Sequence, residues 1–165
     1  MYLDINKPIF YLFTDASVNP KNNIGYGAYI FINRDQLQSS TQMHHVKTKK
    51  FENTSSTKLE LETLLWALGE IDSADYKIII YTDCQNIIGL NDRRARLENN
   101  NYMSNTNKLI KNHELYKEFY RMSDILDCEF VKVKGHKKKE KKDEIDRIFT
   151  LVDKASRTAL RSALF

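Results

Sequence analysis

Apolar positions along the chain fall in runs and stripes whose period changes from segment to segment. Ile9, Phe10, Tyr11, Leu12 and Phe13 form an unbroken run closed by Thr14 and Asp15, with Asn19, Pro20, Asn22 and Asn23 beyond it as turn residues. A short apolar run with such punctuation predicts a buried strand. Residues 25–31 are aromatic and β-rich and predict a second strand, and residues 44–51 a third. Short connections between the three favour antiparallel pairing. Over residues 57–71 the period becomes helical. Leu61, Leu64, Leu65 and Leu68 recur at i, i+3, i+4 and i+7, and Ser55, Ser56 or Thr57 can cap the helix. A second buried strand is predicted over residues 77–83, then a short helix from Gln85 and a polar, basic stretch over 93–107. Asn112 is the predicted cap of a helix reaching Leu126, and residues 128–134 alternate as a strand. Ile145, Ile148, Phe149, Val152, Ala155 and Ala159 mark a long, strongly periodic final helix.

The order βββ-α-β-α-α-β-α predicts an α/β fold with a mixed sheet and helices on its faces. The strands ending at Asp15 and Asp83 are the most apolar, so they should lie side by side at the sheet centre.

Composition narrows the class. At 165 residues the chain is long enough for one domain spanning 1–165, but not for two of ordinary size. Cys84 and Cys128 are too few for a disulfide scaffold or a four-cysteine zinc site, and fit free thiols in a reducing cytoplasm. No apolar run approaches the ~18 residues of a membrane span. The run at Ile9 lacks the basic leader of a signal peptide. A monomer in the cytoplasm, without membrane contact, is the expectation.

Asp15 and Asp83 sit in matching contexts, Thr14-Asp15-Ala16-Ser17 and Thr82-Asp83-Cys84-Gln85. A carboxylate at the carboxyl end of a central strand lies where α/β sites form, although an Asp there can also merely cap a turn. Glu60 and Glu62 flank the leucine stripe, and including Ala67 and Ile71 moves the stripe towards Glu60. In the final helix Asp143, Glu144, Asp146 and Asp153 are further carboxylates, most of them on the solvated face. Several acids with few histidines suit hard divalent ions such as Mg²⁺ or Mn²⁺. Two such ions ~4 Å apart activate a water and stabilise the leaving oxygen of a phosphodiester. Without metal, clustered carboxylates repel and their pKa values rise.

The formal net charge is only +4, but it is unevenly spread. Lys132, Lys134, Lys137, Lys138, Lys139, Lys141 and Lys142 face a single acid, Glu140, over residues 132–142. Arg93, Arg94 and Arg96 form a second cluster, and Lys47, Lys49 and Lys50 a third. Lysine runs are often solvated loops. Cationic flanks beside an acidic centre nevertheless suit a phosphate backbone. His44, His45 and His113 are given no role. Gly25-Tyr26-Gly27 is too sparse for a nucleotide-binding loop, and no Gly-x-Ser-x-Gly elbow occurs.

Taken in order, Thr14-Asp15-Ala16-Ser17, Lys58-Leu59-Glu60-Leu61, Thr82-Asp83-Cys84-Gln85, Lys134-Gly135-His136 and Val152-Asp153-Lys154-Ala155-Ser156-Arg157 resemble the type 1 ribonuclease H family. The resemblance implies a ribonuclease H-like fold: a five-stranded mixed sheet, three antiparallel strands then two parallel, with helices on both faces. It implies an endonuclease cutting the RNA strand of RNA–DNA hybrids with two Mg²⁺, or Mn²⁺ as the alternative, and leaving 5′-phosphate and 3′-hydroxyl ends. Asp15, Glu60, Asp83 and Asp153 then take the places of the metal-holding carboxylates, and His136 that of a loop histidine assisting proton transfer or product release. Ser17, Asn19, Ser55, Ser56, Thr57, Lys58 and Gln85 fall where members contact the hybrid, and Arg93, Arg94 and Arg96 where some carry a basic protrusion. Ala16 stands where many members have Gly. The segment from His136 to Asp153 is longer than in common members, which leaves Asp146 as rival for the fourth carboxylate. The alternatives are another nuclease of the same fold, of resolvase or exonuclease type, and a non-catalytic module binding hybrid or double-stranded RNA.

Overall fold

Residues 7–39, 44–71, 74–134 and 143–163 are described by a computed structural model. The elements in chain order are β1 (Ile9–Asn19), β2 (Ile24–Asn33), α1 (Arg34–Gln38), β3 (Lys47–Phe51), α2 (Ser56–Ile71), β4 (Lys77–Thr82), α3 (Gln85–Ile88), α4 (Leu90–Asn99), α5 (His113–Ile125), β5 (Asp127–Lys132) and α6 (Glu144–Ser162). The strands form one sheet in the order β3-β2-β1-β4-β5. β2 pairs antiparallel with both β1 and β3, whereas β4 pairs parallel with both β1 and β5. The two most apolar strands, β1 and β4, are therefore neighbours, and β1 is the middle strand.

Side chains of a strand alternate between faces, and here each face has its own core. Leu12, Tyr29, Ile78 and Ile80 pack with Leu61, Leu64 and Leu68 of α2 and with Phe119 and Tyr120 of α5. Tyr11, Phe13, Ala28, Ile30 and Ile32 pack with Ile148, Phe149 and Val152 of α6. The leucine stripe and the final periodic stretch thus cover opposite faces of the sheet. Gly25 and Gly27 have a packing role. A Cβ on Gly27 would lie 2.1 Å from Thr63 Oγ1, and one on Gly25 2.3 Å from Leu59 Cδ2. Only glycine lets β2 come this close to the start of α2, the helix that carries Glu60.

Several predicted boundaries move. β1 does not end at Asp15; it runs on to Asn19 because β2 continues to pair with it beyond the last partner on β4. The polar stretch after Arg93 is helical as far as Asn99, in a helix whose only buried residues are Leu90 and Leu97. Asn112 is the N-cap of α5 as predicted. It sits in the left-handed region (φ 68°), however, and makes no side-chain capping bond. β3 and β5 are shorter than the predicted spans. The helix α1 lacks a sequence-based counterpart. It is held by a capping box in which Asn33 and Gln36 exchange bonds at 2.9 Å. No helix among the described residues is long and apolar enough to cross a membrane.

Candidate active site

The parallel ladder between β1 and β4 ends at the pair Phe13–Tyr81. Asp15 stands two residues past that pair on β1, opposite Ala28 of β2. Asp83 stands two residues past it on the other strand, directly after the last residue of β4. Because the strands are parallel, both carboxylates emerge at the same end of the sheet, beyond the last β1–β4 pair. Glu60, the fifth residue of α2, reaches the same place from the helix. One carboxylate oxygen from each of Asp15, Glu60 and Asp83 lies within 4.8 Å of the other two. Burial is graded across the cluster: Asp15 is buried, Glu60 half-buried and Asp83 exposed.

Electrostatics follow from that placement. Burial, then the Asp83 charge, then a side-chain hydrogen bond with Asp153 push the Asp15 carboxyl from 3.8 up to about 8. Burial and the charges of Asp15 and Asp83 hold Glu60 well above the usual carboxylate range. Glu60 Oε2 is enclosed and has no hydrogen-bond partner among the described residues. An enclosed carboxylate oxygen without a donor is costly unless a cation or proton faces it. A set of three hard oxygen donors with such an orphan fits a small divalent cation of the Mg²⁺ or Mn²⁺ type, with the exposed side at Asp83 left open to water and substrate.

The two rivals for a fourth carboxylate occupy different places on α6. Asp153 bears on Asp15, as its effect on that carboxyl shows, and its Oδ2 accepts from Arg157 Nη2 at 2.7 Å. It lies outside the 4.8 Å cluster of three. Asp146 is buried at the helix start. Asp146 N donates to Asp143 Oδ1 at 2.9 Å, and Asp146 Oδ2 accepts from Asp143 N at 3.3 Å, a reciprocal cap.

The other singled-out residues are dispersed by the fold. Ser17 Oγ lies 3.0 Å from Ser156 Oγ, tying β1 to α6. Asn19 Oδ1 accepts from Lys21 N at 3.0 Å and so shapes its own turn. Ser55 is half-buried, and Ser56 and Thr57 are exposed in the first turn of α2. Lys58 Nζ donates to the Asn53 carbonyl at 3.0 Å, and Gln85 Oε1 accepts from Lys132 Nζ at 2.7 Å. Arg93 and Arg94 are both engaged by the protein itself. Arg93 bonds to Asn86, while Arg94 grips Asp124 bidentately at 2.6 and 2.7 Å. Arg96 is exposed. Gly135, His136 and residues 137–142 of the lysine run lie outside the described residues.

One feature escapes the linear pattern. Asn23, Asn53, Thr54, Ser55, Lys58, Lys111 and Asn112 line an open cleft of about 410 Å³. Three separate loops build it, and Asn23, Asn53 and Asn112 all have positive φ. The only sequence signal is the recurrence of Asn at loop positions, since Asn tolerates the left-handed region.

Comparison with known proteins agrees with the geometry. The family model for RNase H matches residues 7–154. A ribonuclease H of Treponema denticola is 24% identical over 151 residues, covering 83% of this chain and 92% of that protein. The fold is similar to that of LC9-RNase H1, a type 1 RNase H with the type 2 active-site motif (TM-score 0.67, 16% identity, 94% of this chain and 74% of that one). It is also similar to part of the foamy viral protease-reverse transcriptase in complex with RNA/DNA hybrid (TM-score 0.67, 13% identity, 92% of this chain). This chain spans 20% of that larger protein. The family match runs from before β1 to just past Asp153 and so contains the whole carboxylate cluster, and the chain belongs to the RNase H family of ribonucleases.

Proposed function

We propose that this chain hydrolyses the RNA strand of RNA–DNA hybrids internally, leaving 5′-phosphate and 3′-hydroxyl ends. The observation that carries the reading is the Asp15–Glu60–Asp83 cluster, three carboxylates drawn together at the end of two parallel strands in an RNase H fold. Asp15, Glu60, Asp83 and Asp153 are the proposed holders of two Mg²⁺, with Mn²⁺ as the substitute. Bound there, such ions would supply Lewis-acid chemistry, activating the attacking water and offsetting the charge that gathers on the departing 3′ oxygen.

The chain's own groups set the geometry. Asp15 is fixed by pairing on β1 and by burial, so its carboxyl is the immobile reference of the site. Burial and the neighbouring carboxylates raise its pKa to about 8, and a bound cation would favour the ionised carboxylate instead. Glu60 presents its orphaned oxygen inward, and Asp83 stands on the open side, where a scissile phosphate can approach. In the cut, the water oxygen releases a proton to solvent and bonds to phosphorus, and the bond from phosphorus to the 3′ oxygen breaks. The 3′ oxygen then takes up a proton, for which His136 is the proposed carrier. The Lys58 and Lys111 ammonium groups and the Ser55 hydroxyl of the cleft suit a phosphate of the substrate backbone, while the Thr54 hydroxyl is committed to Glu62 at 2.6 Å. RNA is told from DNA through its 2′-hydroxyl.

The test is a labelled RNA–DNA hybrid incubated beside double-stranded RNA and double-stranded DNA, with Mg²⁺ and with chelator. Cleavage of the RNA strand of the hybrid alone, abolished by chelator, is the expected result. Cleavage of double-stranded DNA instead marks a different nuclease on the same fold, and binding without cleavage marks a non-catalytic module.

A further inference from the structure

Resting on that reading, we infer that Arg93 is a positioning residue for the Asp83 turn and not a contact to the substrate. The basic cluster around Arg93 invites the opposite view, but its members do different things here. Arg93 Nη2 donates to two acceptors of one residue, the Asn86 carbonyl and Asn86 Oδ1, both at 2.7 Å. Its Nε is enclosed and unpartnered among the described residues. A guanidinium used this way faces the protein, whereas one that grips a phosphate presents its fork outward.

Asn86 is three positions after Asp83, in the first turn of α3. That helix has four residues, too short to hold its own geometry. Its register depends on ties from neighbours. Thr82 Oγ1 accepts from Cys84 N at 3.1 Å at the strand end. Ile87 is buried in the core, and Lys132 Nζ donates to Gln85 Oε1 at 2.7 Å from β5. α3 and α4 meet at Gly89, which is C-cap of one and N-cap of the other. Arg93 braces that joint from the α4 side, and Asn86 Nδ2 reaches the Tyr116 hydroxyl of α5 at 3.5 Å. Asp83 is the exposed member of the carboxylate cluster. Its backbone leads directly into the turn that begins α3, and Arg93 joins Lys132 as a charged tie on that turn.

The test uses the full chain and hybrid cleavage. Wild type is assayed first, so that absence of Mg²⁺-dependent cleavage condemns the functional reading and not this inference. Arg93→Met keeps the aliphatic stem and removes the donors; Asn86→Ala keeps the arginine and removes one acceptor. Both should lower kcat at least about fivefold and raise the half-saturating Mg²⁺ concentration several-fold. KM for the hybrid, and the salt slope of hybrid binding in chelator, should stay at wild-type values. The two changes should be non-additive in the Mg²⁺ midpoint, since they cut one link. A slope reduced by about 0.9 in Arg93→Met with kcat retained would make Arg93 a phosphate contact and overturn the inference. Wild-type kcat and Mg²⁺ midpoint in either folded variant would overturn it as well. If Arg93→Met fails to fold by circular dichroism, Asn86→Ala decides alone by the same two values.

Discussion

Arg157 donates to the Asp153 carboxylate at 2.7 Å from one turn further along α6, while Asp153 also bears on Asp15. The acid is therefore shared between a cationic side chain and the carboxylate cluster. A cation that draws on Asp153, as proposed, would compete with Arg157 for that carboxylate. An i,i+4 ion pair with both partners partly exposed is worth about 0.3–0.5 kcal/mol. Replacing Arg157 with Met should thus lower the half-saturating Mg²⁺ concentration about twofold. Thermal stability should change little. A Mg²⁺ midpoint that rises instead, measured by cleavage rate against Mg²⁺, would show that Arg157 helps to hold Asp153 in place and does not compete for it.

Asp15 gives a pH dependence with a definite sign. Its folded pKa is about 8 against an ordinary 3.8, so the native state binds the proton more tightly than the unfolded chain. The resulting stability is full below pH ~4, declines as pH rises, and is gone above ~8. In chelator, Tm should fall between pH 5 and 9. Asp15→Asn removes the titrating carboxyl, so its Tm should exceed that of wild type at pH 9 and vary less with pH. Added Mg²⁺ should restore wild type at high pH and leave Asp15→Asn unmoved. Equal pH slopes in the two proteins by calorimetry would refute the assignment of the buried charge.

How much of this site is legible in the sequence depends on the range of the contacts that make it. Asp15 and Asp83 stand out because the apolar runs before them are local and unbroken. α2 and α6 stand out because Leu61, Leu64 and Leu68, and Ile148 and Val152, each face a single core. The tail of β1 is hidden because Ala16, Ser17 and Asn19 pair only with β2 and need no apolar side chains. α4 is hidden because Leu90 and Leu97 are its only buried residues. The pairing of Arg93 and Arg94 depends on Asn86 and Asp124, and the second of these lies 30 residues away. Composition reads such arginines as a basic patch; only the fold shows them paired.

The same pairing sorts the arginine cluster by role. Arg94 is held by Asp124 and Glu98 and lies over the Tyr120 ring, 5.0 Å from its centroid. Arg96 is exposed. Arg96→Ala should therefore reduce the log–log salt slope of hybrid binding by about 0.9, the value for one phosphate contact. Arg94→Met should leave the slope unchanged and lower Tm measurably. Binding titrations in chelator at several salt concentrations, beside thermal melts, give both values. A slope that drops for Arg94→Met and not for Arg96→Ala would reverse the roles.

Asp146 and Asp153 are separated by seven residues, about 10 Å along the helix axis at 1.5 Å per residue. One rigid helix cannot bring both to a centre fixed by Asp15 and Asp83. Asp146 has work of its own: it exchanges hydrogen bonds with Asp143 and closes the first turn of α6. Asp146→Ala removes one arm of that cap, the 3.3 Å bond from Asp143 N, and leaves the other; the loss of a capping bond costs about 0.5–1 kcal/mol, which at this chain length is about 1–4 °C in Tm. Asp146→Ala should show that loss and near wild-type kcat once folded. Asp153 supports no cap, and its ion pair with Arg157 is partly exposed, so Asp153→Asn should melt close to wild type. Its carboxylate nevertheless bears on Asp15, and its loss should cut the Mg²⁺-supported rate at least about tenfold, or ~1.4 kcal/mol of barrier. The two variants thus separate on two axes, stability for one and turnover for the other. Matched melts and kinetics that place the rate loss on Asp146→Ala and the stability loss on Asp153→Asn would transfer the fourth-carboxylate role to Asp146.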